Sequence, residues 1–160
     1  MYSGTIPTPR SPEAVFDLLA NPECFAPLLP DYESMSVDDP THFTVTIVIA
    51  VAQIHGKASL AMELREALQP SLVEYRGQAI VAGSQLNLEL RFHISPTGST
   101  TEVRWQGEFS LDGMLAFIAG SMIEPMGRKH FDRMAARLAD SLNGIEPFSD
   151  VPPPGSETPF

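Results

Sequence analysis

Four histidines and one cysteine are the side chains of this 160-residue chain best suited to metal binding, proton transfer or nucleophilic attack. The alternation of the predicted strands turns His55 and His93 toward water, and His42 falls at the start of a strand. His130 lies beside an apolar helical stripe, so no two histidines are positioned to share a metal ion. Cys24 has no basic neighbour in sequence to activate its thiol, and we expect it to be structural filler of the small, buried kind. The sequence therefore predicts no metal site and no nucleophile.

Motifs for catalysis or cofactor binding are missing as well. The sequence has no Gly-x-Ser-x-Gly elbow and no glycine-rich phosphate loop, and the inward faces of the predicted strands hold no ionisable Asp, Glu, His, Lys or Arg. The polar groups nearest the interior are the Tyr75 hydroxyl and the Trp105 indole N–H, which either pack in the core or orient a quinone carbonyl. Because a catalytic pocket needs convergent polar groups, we predict no catalytic residue and no cofactor.

Hydrophobic periodicity identifies the elements that must position any site. A short N-terminal strand over residues 2–8 comes first, and the Ser-Pro-Glu at 11–13 and the Asn-Pro-Glu at 21–23 each open a short helix. Over residues 32–111 apolar side chains alternate with polar ones, which predicts six further strands. Short connections such as the Pro-Thr-Gly-Ser turn at 96–99 require these strands to pair antiparallel.

A helical period returns after Asp112 and predicts one long helix that ends near Gly144. Its second half, residues 128–142, is amphipathic and would bury an apolar stripe under the sheet. The preceding segment 114–123 is apolar nearly all round, and Pro125 is the expected kink between the two halves. The predicted fold class is α+β, with a seven-stranded curved antiparallel sheet gripping a long C-terminal helix and two short helices after the first strand.

Length, charge and composition bound the remaining possibilities. We expect one domain over residues 1–145, followed by a Pro-rich tail at 146–160 that lacks apolar periodicity and is predicted to be disordered. The net charge of −10 disfavours nucleic acid as a partner. One cysteine, no signal peptide and no spanning segment predict a cytoplasmic protein, with any membrane contact peripheral at the inner face.

Small residues at inward positions predict space between the sheet and the long helix. Gly56, Ala58, Gly77, Ala79 and Gly107 stand where a filled core would carry Leu or Ile, although glycines also permit the curvature and bulges of such a sheet. We therefore predict a cavity for an apolar ligand. The predicted lining residues are Ile47, Ala58, Leu60, Met62, Tyr75, Ala79, Leu88, Phe92, Trp105, Phe109, Phe117, Ile118, Met122 and Met126.

Two surfaces of the long helix are candidates for a functional role. The first is the charge-free segment together with the residues up to 126. We predict that residues 114–126 form a movable, Met-rich gate that adapts to a ligand, a membrane or a protein partner. The alternatives are a homodimer interface and a core helix. Arg128, Lys129, Arg133 and Arg137 form either a solvated helix flank or a basic strip that orients the domain on an anionic surface.

The order of these elements resembles that of the helix-grip, or START-like, superfamily, also called SRPBCC. Within it, the Ser-Pro-Glu-Ala-Val-Phe-Asp-Leu-Leu run at 11–19, the Asn-Pro-Glu at 21–23, the Leu-Pro at 29–30 and the Gly-Lys strand at 56–57 resemble the carbon monoxide dehydrogenase G-subunit family. The resemblance covers about residues 3–143. It departs at Asp31-Tyr32, where the family usually has Gly-Cys, and in lacking the apolar membrane anchor found at the end of some members.

The resemblance implies a non-catalytic accessory protein of a molybdenum-containing carbon monoxide dehydrogenase or related hydroxylase. Such a protein would hold an apolar molecule, a quinone or a lipid, between sheet and helix, and no catalytic residue carries over. Two other functions stay open on the same fold: a polyketide cyclase or hydrolase-like enzyme, and a protein interaction domain. A buried Asp, Glu or His beside the cavity would favour the enzyme, and a filled interior would favour the interaction domain.

Overall fold

The computed structural model describes residues 1–51, 54–81 and 83–144, without the side chains at 51, 54, 115, 118 and 119. Within these residues seven strands form one antiparallel sheet in the order β1-β7-β6-β5-β4-β3-β2. The strands are β1 Tyr2–Thr8, β2 Tyr32–Asp39, β3 His42–Val51, β4 Ile54–Leu68, β5 Leu72–Val81, β6 Ser84–Thr97 and β7 Thr100–Leu111. The helices are α1 Pro12–Leu19, α2 Pro22–Phe25, α3 Gly113–Ala119 and α4 Ile123–Leu142, with single 3-10 turns at Ala26–Leu28 and Gly120–Met122. The predicted fold class is confirmed.

The two short helices begin where the sequence predicts. The Ser11 hydroxyl accepts a hydrogen bond from the backbone N–H of Ala14 at 3.2 Å, and the Asn21 side-chain oxygen accepts one from Glu23 at 3.0 Å. Each cap is followed by a proline, which has no N–H to leave unsatisfied and is already fixed near helical φ. The caps therefore set both helix starts locally.

Cross-strand pairs confirm that the outer face of the sheet is solvated. Glu74 is the direct register partner of Arg91, and Arg76 that of Glu89. The first pair lies at 2.6 Å and the second at 3.7 Å, with side chains between 23% and 59% exposed. Such partly exposed pairs each stabilise a fold by at most about 1 kcal/mol. Their contribution to the stability of the sheet is therefore small.

The apolar stripe of α4 covers the inner face of the sheet, with Phe131, Met134, Leu138 and Leu142 all buried. A Cβ atom at Gly107 would collide with the ring of Phe131, so this strand glycine is what lets α4 approach β7 closely. The expectation that the small inward residues leave space is thus wrong at Gly107.

It is also wrong at two other glycines. A Cβ at Gly77 would collide with Met62, so the neighbouring strand already fills that position. Gly56 is exposed and faces open surroundings. Gly77 and Gly107 therefore accommodate large neighbours, and neither they nor Gly56 line the cavity.

The break in the C-terminal helical region lies at Gly120–Met122 and not at the predicted Pro125. Gly120 has a φ of 39°, a conformation that glycine adopts without the steric cost paid by other residues. Pro125 is the third residue of α4, where an N–H has no intrahelical acceptor and a proline is tolerated. Glycine, rather than proline, separates the two halves.

Cys24 is exposed, so the expectation that it fills the core is wrong. The short helix α2 instead buries its neighbour Phe25. The predicted tail at 146–160 lies outside the described residues, and the domain boundary at 145 stays a prediction.

Candidate functional site

A cavity of about 160 Å³ lies between the inner face of the sheet and the N-terminal half of α4. A dry apolar cavity of about 150 Å³ is large enough to take up benzene, so this space matches one aromatic ring. Its walls are formed by Leu29, Pro30, Asp31, Ile47, Val48, Ile49, Ala50, Leu60, Val81, Leu86, Leu88, Leu90, Phe109, Leu111, Met126, Gly127, His130, Phe131 and Met134.

Several elements meet at these walls, and most contribute only aliphatic or aromatic groups. Strand β3 forms one side through Ile47, and β6 and β7 form another through Leu88 and its register partner Phe109. These three inward side chains are only half-buried because each borders the cavity on one side. The helix contributes Met126 and Gly127 above them. The arrangement suits an apolar ligand that displaces water.

Five of the predicted lining residues meet at this cavity, namely Ile47, Leu60, Leu88, Phe109 and Met126. The others lie elsewhere: Ala58, Met62, Tyr75, Ala79, Phe92 and Trp105 are in the filled core, and Phe117 and Met122 are exposed. The side chain of Ile118 lies outside the described part of the chain. Ligand contact by any of these residues stays a prediction.

The Tyr75 side chain packs in the core and does not line the cavity. Its hydroxyl donates a 2.6 Å hydrogen bond to the backbone oxygen of Leu19, and its ring stacks on Phe25 with centroids 4.0 Å apart. Burial raises the pKa of the Tyr75 hydroxyl, which stays protonated. Trp105 stacks against Phe131 with centroids 6.1 Å apart. Neither of the interior polar groups singled out in the sequence lines the cavity.

The ionisable side chains among the described cavity walls are Asp31 and His130. The Nε2 atom of His130 lies 2.9 Å from Oδ2 of Asp31, and the two side chains are 38% and 33% exposed. Arg133 approaches the other oxygen of Asp31, Oδ1, at 3.7 Å. The expectation that no ionisable group lines the cavity is therefore wrong, because it considered only the inward faces of strands. Asp31 comes from a loop and His130 from the flank of a helix.

Both ring nitrogens of His130 lie within hydrogen-bond distance of the protein. Nδ1 lies 2.8 Å from the backbone oxygen of Met126, which can only accept, so this nitrogen donates. Nε2 lies 2.9 Å from Oδ2 of Asp31. Both ring nitrogens of His130 are therefore engaged within the protein.

The loop that carries Asp31 is fastened on two sides. The backbone oxygen of Asp31 accepts a hydrogen bond from Val48 of β3 at 2.9 Å. On the helix side, Arg137 donates to the backbone oxygens of Pro27 and Leu29 at 3.1 and 3.3 Å. Asp31 itself has a φ of 64°, a left-handed conformation that Asp tolerates better than most residues. The cavity rim is thus a turn held between β3 and α4.

The four basic residues of α4 have separate surroundings. Arg133 and Arg137 hold the Asp31 loop, Arg128 lies over the Tyr2 ring at 5.4 Å, and Lys129 is exposed. Most of the predicted basic strip therefore contributes to packing of the helix against its neighbours.

Apolar side chains are exposed on the segment that precedes α4. Phe117 is 84% exposed, and Met114 and Met122 are also largely accessible. Among the helices of the described residues, none combines the length and the apolar content needed to cross a membrane. The described residues also contain no cluster of His, Cys, Asp and Glu that could hold a metal ion.

Solved structures share this fold at low sequence identity. A conserved protein from Geobacillus kaustophilus superposes with a TM-score of 0.73 at 15% identity, covering 88% of this chain and 93% of that one. A START superfamily protein from Mycobacterium smegmatis gives 0.64 at 12% identity, covering 88% and 95%. The Zhui aromatase/cyclase from Streptomyces sp. R1128 gives 0.63 at 13% identity, covering 89% and 90%. At these identities the likeness establishes the START-like fold alone.

Family membership comes from the sequence. No curated protein matches the chain significantly. The model of the carbon monoxide dehydrogenase G-subunit (CoxG) family matches residues 4–143, a range that extends from within β1 to beyond the end of α4. The chain therefore belongs to the CoxG family of carbon monoxide dehydrogenase proteins.

Proposed function

We propose that this protein binds an apolar small molecule, a quinone or a lipid, in the cavity under α4 and carries it for a molybdenum-containing carbon monoxide dehydrogenase or related enzyme. The observation that supports the proposal is a cavity walled almost entirely by apolar groups in a member of this family. Apolar walls with few polar groups are typical of sites that bind a ligand by desolvation. The carrier itself would supply no catalytic residue.

The size of the cavity restricts how such a ligand is held. A space of about 160 Å³ takes one ring or a short length of acyl chain. Any longer tail must therefore leave through the rim near Asp31, Val48 and Met126. A quinone or lipid would enter with one end and keep the rest of its chain outside or against the adjacent apolar segment.

The exposed apolar side chains beside α4 suit the loading step. A carrier must receive an insoluble ligand from a membrane, and Met114, Phe117 and Met122 offer an apolar surface for peripheral contact with its inner face. Residues 114–126 would then act as a gate in a cytoplasmic protein. A homodimer that covers the same side chains is the competing interpretation, and the oligomeric state with and without lipid vesicles distinguishes the two.

The proposal is tested by mass spectrometry of the organic extract from freshly purified protein. We expect a stoichiometric quinone or lipid in the unmodified protein and its loss in Leu88→Trp, which places an indole in the cavity. Ile80→Trp is the matched control, because Ile80 is 65% exposed and does not line the cavity. An empty extract from folded protein, or a ligand retained in Leu88→Trp, would contradict the proposal.

The partner enzyme requires a separate test. Quinone-loaded protein is mixed with a purified molybdenum carbon monoxide dehydrogenase under carbon monoxide, and reduction of the carried quinone is followed by absorbance. We expect faster reduction than with the Leu88→Trp variant at the same total quinone. Equal rates with both proteins would exclude a delivery role while leaving ligand binding intact.

A second candidate function rests on the Asp31–His130 pair. A carboxylate–imidazole pair beside an apolar cavity is an arrangement that enzymes use for proton transfer, and one structural neighbour is an aromatase/cyclase. The two functions differ in what happens to the bound molecule. A carrier releases it unchanged after long incubation, whereas an enzyme converts it at a rate that falls when His130 is replaced by Gln.

A further inference from the structure

We infer that the Asp31 carboxylate selects ligands whose polar end is a hydroxyl group over those whose polar end offers only an acceptor oxygen. This inference rests on the proposed function, because it concerns the same cavity. The chemistry that fits is an apolar molecule with a phenolic or alcoholic hydroxyl, such as the reduced, hydroquinone form of a carried quinone or a lipid alcohol.

Hydrogen bonding at the rim limits what His130 offers to a ligand. Both nitrogens of His130 are engaged, one with the backbone oxygen of Met126 at 2.8 Å and one with Asp31 Oδ2 at 2.9 Å. A ligand carbonyl could take neither N–H without breaking a bond within the protein. His130 therefore positions Asp31 and does not itself offer a free donor to a ligand.

The other carboxylate oxygen of Asp31 can accept a hydrogen bond. Arg133 approaches this oxygen, Oδ1, at 3.7 Å, which is longer than a hydrogen bond. Within the described residues this oxygen has no hydrogen-bond donor, and the Asp31 side chain both lines the cavity and is one-third exposed. A carboxylate oxygen accepts, so a ligand hydroxyl completes its hydrogen bonding and a ligand carbonyl or ether does not.

A ligand that places an acceptor oxygen at this position binds at a cost. A bound ring excludes water from the rim, so neither the ligand oxygen nor Oδ1 of Asp31 then has a donor. Hydrogen bonds to charged groups are stronger than neutral ones and leaving a buried polar group unpaired is costly, so selectivity of about tenfold is expected. Arg133 and His130 approach different oxygens of Asp31, so the two side chains hold the carboxylate from two directions at the rim.

The test compares two ligands of nearly equal shape, para-pentylphenol and its methyl ether, by calorimetric titration of the full chain after delipidation. We expect the unmodified protein to bind the phenol about tenfold more tightly than the ether. In Asp31→Asn the acceptor is neutral, so the ratio should fall to about threefold or less. Asp31→Gly is a second variant suited to the left-handed φ at this position, and it should lower the ratio in the same direction. Asp17→Asn, at an exposed position on α1, is the matched control.

Each outcome separates this inference from the proposed function. Tight binding of both ligands with equal affinity would overturn the selectivity and leave the carrier function standing. Binding of neither ligand would overturn the carrier function itself. A preference for the phenol that survives in both Asp31 variants would remove Asp31 from the role.

Decanol and its methyl ether, titrated in parallel, distinguish the two sources of the hydroxyl group. A preference for decanol equal to that for the phenol indicates a lipid alcohol, and a preference confined to the phenol indicates a hydroquinone-like head. Lack of a hydroxyl preference in both ligand pairs would contradict the inference.

Discussion

The two ends of α4 meet the same sheet in different ways. At the C-terminal end, Leu138 and Leu142 are fully buried, and the last carbonyl oxygen, that of Leu142, accepts hydrogen bonds from Thr8 at 2.9 Å and Arg10 at 2.8 Å. Toward the N-terminal end, where Met126 and Gly127 face the sheet, the space below remains open as the cavity.

The difference follows from what each end of the helix presents. The C-terminal half carries branched and sulfur-containing side chains at helical spacing, so ridges and grooves can fill the sheet surface. Near the N-terminal end a Cβ at Gly127 would collide with Phe109 and Tyr2, so this glycine lets the helix approach both side chains, and the open space lies beside it, where Met126 borders the cavity. One helix thereby combines a rigid support with a binding space, so stability and ligand binding are separable by position.

The largest difference in stability is expected when a leucine is truncated at each of the two ends. Leu138 is fully buried at the filled end, so Leu138→Ala should lower the free energy of unfolding by about 2–5 kcal/mol. Leu88 borders the cavity and is already half-accessible, so Leu88→Ala should cost only about 1 kcal/mol. Urea denaturation measures both. Equal losses would mean that the two ends are packed alike and would contradict the comparison.

An intermediate loss of stability is expected when the Tyr75 hydroxyl is removed from the filled region. Its removal in Tyr75→Phe leaves the buried carbonyl of Leu19 without its donor, and the expected loss in the free energy of unfolding is about 1–3 kcal/mol. Cavity binding should not change, because Tyr75 does not line the cavity. A loss of ligand affinity larger than the loss expected from unfolding alone would show that the filled core and the cavity are coupled.

Sequence reasoning reached the fold because its signals are local. The caps at Ser11 and Asn21 and the alternation along each strand depend on neighbours in the chain, and they fixed the helix starts and the inward faces. The cavity depends on which side chain of another element fills each gap. Phe131 fills the space at Gly107 and Met62 fills that at Gly77, and neither pairing follows from periodicity.

The polar rim of the cavity could not be predicted from the sequence for a related reason. Asp31 and His130 are 99 residues apart and meet only because the loop at Asp31 turns through a left-handed conformation onto the flank of α4. Strand alternation says nothing about loops, and a histidine beside an apolar stripe is typical of a surface residue. The signal that could have drawn attention to the site is the acidic Asp31 directly after the apolar Leu29-Pro30.

A smaller effect on stability, with a larger one on binding, is expected at the exposed segment before α4. Phe117 and Met122 are exposed, so Phe117→Glu with Met122→Glu should change the free energy of unfolding by no more than about 0.5 kcal/mol per site. If residues 114–126 form the gate, uptake of ligand from lipid vesicles should be lost. Unchanged uptake would remove the gate and confine the functional region to the cavity. The exposed Val37→Glu, on the edge strand β2, is the matched control.

The smallest effect is expected at the β2–β3 turn. Hydrogen bonds from the backbone N–H of Thr41 and from His42 lower the pKa of Asp39 to about 2, and the same carboxylate raises the pKa of His42. The Asp39 contribution is present above the unfolded pKa of about 3.9 and is lost as pH falls toward 2, because protonation removes the acceptor. The His42 contribution is complete below about pH 6.5 and is lost as pH rises through the raised pKa of the folded state.

The β2–β3 turn therefore gives the protein a pH response that involves neither end of α4. Both side chains are exposed, so salt should weaken the response. In Asp39→Asn the pKa of His42, followed by its NMR ring signals, should fall toward the ordinary histidine value, while ligand binding in the cavity stays unchanged. A His42 pKa that does not move would show that Asp39 is not its partner in solution. A change in ligand affinity would show that the turn and the cavity rim, joined through β3 at Val48 and Asp31, respond together.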